Sequence, residues 1–158
     1  MKIKLDPSPL HSGNSIAPIS VEIDGAPFPR ADWTDFLVGV MASWTENVVA
    51  LSRDPAEPPP SQGRYQLSFV DGPWTILLQP AGQGRVEFLA GQKVPGSHTL
   101  PSIEVSIQLK EVVLWADLQR EIQTAAQGVL GFCKVHRLGD DNPDVDALEF
   151  FLARLSLA

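Results

Sequence analysis

The chain has 158 residues, 44% of them apolar, and 19 acids against 12 bases give it a net charge of −7. This length fits one domain able to bury roughly two thirds of its unfolded surface, and the apolar content excludes disorder of the chain as a whole. The acidic balance opposes nucleic acid and anionic membranes, which are bound by neutralising phosphates, and suits a basic protein partner.

Cys133 is the sole cysteine. No internal disulfide is possible, and a reducing cytosol is the simplest compartment. Lys2 and Lys4 are not followed by the apolar segment of a secretory signal. The longest unbroken apolar run, Val112–Ala116, falls far short of the ~20 residues a membrane span needs. A cytoplasmic protein is expected.

In chain order, Lys2–Leu5 is a candidate short strand, and residues up to Pro18 form a partly irregular segment rich in Pro, Ser and Gly. Ile19, Val21 and Ile23 alternate with polar residues as a strand does, and Asp24-Gly25 turns the chain. A helix is predicted from about Trp33 to Leu51, because Trp33, Leu37, Val40, Trp44, Val48 and Leu51 form one stripe at the helical period. Asp32 is placed as its N-cap and Asp35 in its first turn, where the helix dipole favours an acid. Residues 52–63 hold Pro55 and Pro58-Pro59-Pro60 and are read as a stiff loop.

The most informative segment follows. Arg64–Val70 and Trp74–Gln79 flank Asp71-Gly72-Pro73, and Asp-Gly between strand-like runs is a strong hairpin signal. Tyr65, Leu67 and Phe69 alternate with Gln66 and Ser68, so one face of the hairpin is apolar. Arg85–Ala90 is a further strand after a Gly-rich turn. Ser102–Leu109 is another, with Ile103, Val105, Ile107 and Leu109 facing inward.

Near Leu114 the period changes. Leu114, Leu118, Ile122, Ala126, Val129 and Cys133 line a helix ending near His136, and Asn142-Pro143 is an N-cap and N1 pair that opens a last helix. The order predicts a single-domain α+β fold over residues 1–158. About three helices pack mainly on one face of an antiparallel sheet of about four to six strands.

The sequence holds no catalytic constellation. Cys133 and His136 are three apart on one helix and can form a thiolate–imidazole pair, yet Cys133 also continues an apolar stripe, where a free cysteine is inert packing. The acids from Asp140 to Asp146 resemble the start of a calcium loop, but Val145 stands where glycine is needed and Phe151 where glutamate is needed. Gly82 and Gly84 join strands, not a strand to a helix, so they cradle no phosphate. Ser97-His98 lacks a nucleophile elbow, and Pro55–Pro58 serves as a spacer rather than a binding motif. His11, His98 and His136 are scattered and show no zinc spacing. No metal, cofactor or turnover is expected.

Four tryptophans and the uneven acids carry what functional signal there is. Trp33 and Trp44 fall on the first helical stripe and are assigned to the core, whereas Trp74 and Trp115 are candidate interface anchors. Asp24, Asp32, Asp35 and Glu46 face only Arg30 in their region and are the candidate acidic surface for a basic partner; solvated helix ends are the alternative.

The helix DWTDFLVGVMASWTENV, the Pro-rich loop, the hairpin LSFVDGPWTILL and the passage IEVSIQLKEVVLWADLQREIQTAAQGVLGFC together resemble small bacterial immunity proteins of polymorphic toxin systems. The resemblance spans roughly residues 19–155 and rests on structural features. It implies a cytosolic, non-catalytic binder that neutralises a cognate toxin, with a basic toxin domain as partner. A small acidic secretion chaperone is the alternative, and a small-ligand or enzymatic domain comes third.

Overall fold

The β-rich half of the molecule is built on one central strand and one meander. In a computed structural model, which describes residues 1–52, 65–95, 104–139 and 142–156, eight strands and three helices are formed among the described residues. The first sheet holds β1 (Lys2–Leu5), β2 (Ile16–Ile23), β3 (Ala26–Phe28) and β4 (Thr34–Phe36). β2 is its spine: β1 pairs with Ile19–Glu22, β3 with Val21–Ile23, and β4 with Ile16–Pro18, all antiparallel. The second sheet is an antiparallel meander of β5 (Tyr65–Ser68), β6 (Trp74–Pro80), β7 (Arg85–Lys93) and β8 (Val105–Leu114), in that order. The helices are α1 (Leu37–Ser52), α2 (Trp115–Val135) and α3 (Pro143–Leu155).

This is an α+β protein, as the sequence implies, with its strands shared between two four-stranded sheets. The Asp71-Gly72 hairpin forms where expected, with Tyr65 opposite Leu78 and Ser68 opposite Thr75. The long helix α2 buries Leu118, Ile122, Ala126, Val129 and Cys133, and Asn142 caps α3 by accepting the Asp144 N–H at 3.0 Å. Val145, Leu148, Leu152 and Leu155 of α3 and Leu37, Val40, Trp44 and Val48 of α1 join the same apolar core as both sheets. Among the described residues, no helix is long and apolar enough to cross a membrane.

Three local expectations are corrected. The stripe from Trp33 is not helical from its start: Thr34–Phe36 is β4, and α1 begins at Leu37. Tertiary pairing overrides the local period here, because Ile16–Pro18 offers these residues a hydrogen-bonded partner strand. Asp32 is therefore not an N-cap, and the first turn of α1 holds no acid. The N-terminal segment is less irregular than its composition implies: β2 extends back to Ile16, and Leu10 is buried.

The strand expected at Ser102–Leu109 is Val105–Leu114, and its inward set is broken by a bulge. Leu109 faces Ala90 but Ile107 faces Gly91, so Gln108 is the extra residue and Ile107 is left 53% exposed. Gly91 is required at this point, since a Cβ there would lie 2.1 Å from the Ser106 carbonyl oxygen. The Pro-rich loop, Ile103, Ser97-His98, Asp140 and Asp141 lie outside the described residues.

Candidate functional site

Between the two sheets a chain of aromatic rings runs from the interior to the surface. Trp44 on α1 is fully buried, and its Nε1–H donates to the Ser68 carbonyl oxygen at 2.8 Å. Its ring meets Phe69 at 5.3 Å and 87°, Phe69 meets Phe28 at 6.0 Å, Phe28 meets Trp74 at 5.7 Å and 89°, and Trp74 meets Trp33 at 6.2 Å and 77°. Each contact is edge-to-face, the arrangement that sets the positive edge of one ring on the negative face of the next. The chain joins α1, the hairpin and the first sheet through side chains alone.

The outer end of this chain is fixed from several directions. Trp33 is held by its backbone, its N–H donating to the Arg30 oxygen at 3.2 Å and its oxygen accepting from the Ile19 N–H at 3.0 Å. The Arg30 guanidinium lies over the Trp33 ring at 5.5 Å and pairs with Asp32 at 3.1 Å. Gly72, with φ of 79°, lets the hairpin tip close on the rings, since a Cβ there would lie 3.3 Å from both Trp33 and Trp74.

Asp35 ties the tip down. The residue is 1% exposed, and its carboxylate accepts the Phe36 N–H at 2.7 Å, the Asp71 N–H at 3.1 and 3.2 Å, and the Trp33 Nε1–H at 3.4 Å. A buried carboxylate is tolerated when it is hydrogen-bonded in this way. The result is a hydrogen-bonded corner where half-buried Trp33 and Trp74 adjoin exposed Asp32, Val70, Asp71 and Pro73.

The six residues singled out in the sequence divide between this corner and other places. Asp32 and Trp74 lie in it as surface residues. Asp35 lies in it as a buried strut and offers no charge to a partner, which corrects its assignment to an exposed acidic face. Asp24 sits in the β2–β3 turn with φ of 48° and donates its N–H to Glu111 at 3.3 Å. Glu46 is exposed on α1. Trp115 begins α2, half-buried against the core, its N–H donating to the Gly84 oxygen at 2.8 Å.

Trp33 and Asp71 are the corner residues that sequence reasoning missed. Trp33 was placed with the helical stripe, and the signal against that placement is Thr34-Asp35-Phe36, three residues with low helix propensity.

Cys133 and His136 are engaged with different surroundings. Cys133 is buried, which pushes its thiol above the ordinary range through loss of hydration, and the His136 ring stacks on Phe132 at 4.1 Å. Among the described residues, no group of three His, Cys, Asp or Glu side chains is placed to hold a metal ion. Compared with known proteins, the chain matches no family model, no curated protein and no solved structure.

Proposed function

We propose that this protein is a non-catalytic binder of the immunity type, which holds a cognate toxin in the bacterial cytoplasm and blocks it. The observation that carries the reading is the Trp33–Trp74 corner, where two half-buried tryptophans stand edge to face beside the exposed acids Asp32 and Asp71. Tryptophan is enriched at binding hot spots because one ring buries a large apolar area with few torsions to restrict. A ring already held in place loses little further freedom on docking. The surrounding acids and the net charge of −7 favour fast encounter with a basic partner. The resemblance to immunity proteins supports the same reading.

The test is genetic. Loss of the gene is expected to arrest growth only while the cognate toxin gene is intact, and a plasmid copy should restore growth. A Trp33→Ala copy, shown by circular dichroism to be folded, should fail to restore it. Normal growth of a toxin-producing cell without this gene overturns the proposal. The secretion-chaperone reading draws on Phe150, exposed on α3 beside Phe151. A dimer in sedimentation that Phe150→Glu dissociates would favour it.

A further inference from the structure

β8 is the last strand of the second sheet and, among the described residues, pairs with β7 alone, from Arg85–Leu114 to Lys93–Val105. Among the described residues, no strand, loop or side chain hydrogen-bonds to its other edge. Folded proteins blunt such an edge with charges, proline or a covering element. β8 carries two charged residues, and both are engaged within the chain. Lys110 Nζ lies 2.6 Å from Glu87 on β7, while Glu111 accepts from the Met1 amino group at 3.1 Å and the Asp24 N–H at 3.3 Å. Ile107, Val112 and Leu114 are left outward, each about half exposed.

A cavity of about 610 Å³ opens beside the C-terminal half of this strand. Glu111 and Val113 line it from one face of β8, Val112 and Leu114 from the other. Both faces of β8 thus contribute to this cavity, together with Arg85 of β7, Met1 and the first turns of α2. Its remaining acids are satisfied: Asp117 pairs with Arg120 at 3.0 Å, and Glu121 accepts the Ile3 N–H at 3.3 Å. Arg85, exposed and opposite Leu114, lines the same cavity and has no ion-pair partner among the described residues.

We propose that the free edge of β8 is a docking site for an extended strand of a partner protein, apolar at alternate positions and carrying a carboxylate that meets Arg85. Unpaired backbone donors and acceptors select an extended main chain, and the side chains at alternate positions select its sequence. Val112 and Leu114 ask for apolar residues, and the unpaired guanidinium of Arg85 asks for an acid at the Leu114 end. A second copy of this chain is a poorer occupant. Its net charge of −7 opposes self-association, and the Glu111 carboxylate of its own β8 is already taken. The site is separate from the tryptophan corner, since Trp74 pairs with Gln92 and Arg85 stands at the opposite end of β7.

The probe is a short acetylated peptide of alternating threonine and valine ending in aspartate amide, compared with the same peptide ending in lysine amide. Hydrogen–deuterium exchange of the full chain should show slowed β8 amides with the aspartate peptide, which should bind about three-fold tighter than the lysine peptide, as one exposed ion pair allows. Arg85→Glu should reverse that preference, and Val112→Lys should weaken both peptides in a protein that circular dichroism shows to be folded. Trp33→Ala should leave peptide binding unchanged while failing the growth test, which separates this site from the proposed toxin surface. Absence of protection on β8, or equal affinity for the two peptides, overturns the proposal. So does a doubled sedimentation mass with β8 amides protected in the free chain, which would make a second copy the occupant.

Discussion

At the Trp33–Trp74 corner the polar groups are consumed in holding the geometry: one carboxylate takes three N–H donors, and a guanidinium covers an indole face. Along β8 the side-chain charges are consumed, while the outer backbone edge is left unpaired among the described residues. The corner joins the hairpin tip of the meander to the first sheet and β8 is the meander's last strand, yet one is set by side chains closing on each other and the other by a backbone edge that no described residue hydrogen-bonds. The corner accordingly presents rings held by contacts on several sides. The edge is ordered on one side by β7 and leaves its other side for the proposed partner strand.

The comparison is broken most severely from the buried end of the aromatic chain. Trp44→Ala removes a fully buried ring and leaves the Ser68 carbonyl oxygen without its donor, at an expected cost of about 3–5 kcal/mol in chemical denaturation. Asp35→Ala comes next. It strands the Phe36 and Asp71 N–H groups and should cost about 2–4 kcal/mol, with exchange at the Asp71 amide accelerating more than at the β8 amides. Equal acceleration in both places would mean that the carboxylate holds no particular geometry at the hairpin tip.

Asp32→Lys tests the corrected start of α1. The Asp32 side chain is 82% exposed and caps nothing, so its loss should cost less than about 1 kcal/mol and leave the far-ultraviolet signal unchanged. A measurable loss of helix would restore the capping role. Smaller still, Val112→Lys on the open edge should shift stability by no more than about 0.5 kcal/mol, the range of surface changes. A larger loss would show that Val112 is covered in solution.

Cys133, outside both regions, supplies a control with a defined pH signature. Burial raises its thiol in the folded state, so the native protein holds this proton more tightly than the unfolded chain does. The resulting stabilisation is complete below the ordinary thiol range and is lost as pH rises through the folded value. Cys133→Ala should therefore flatten the alkaline limb of the stability profile and leave its shape near neutrality unchanged. An unchanged alkaline limb would contradict the burial argument.

What the sequence determined by itself is what short-range pattern can encode. Asp71-Gly72 between alternating runs marks the hairpin, because a left-handed residue at the turn is a local requirement. The stripe from Leu118 to Cys133 marks α2, and Asn142-Pro143 marks the start of α3, because helical period and capping lie within a few residues of each other. The tertiary structure decided the rest. Thr34–Phe36 is a strand only because Ile16–Pro18 lies beside it, and three residues are too few to carry a period of their own. Asp35 is a strut and not a surface charge only because the hairpin tip brings the Asp71 N–H to its carboxylate. Ile107 faces outward only because β8 holds one residue more than β7 at the bulge, and nothing in its own alternation records the register of its neighbour. A carboxylate, a tryptophan and an isoleucine each take their role from a partner distant in the chain, and that distance is what local pattern does not contain.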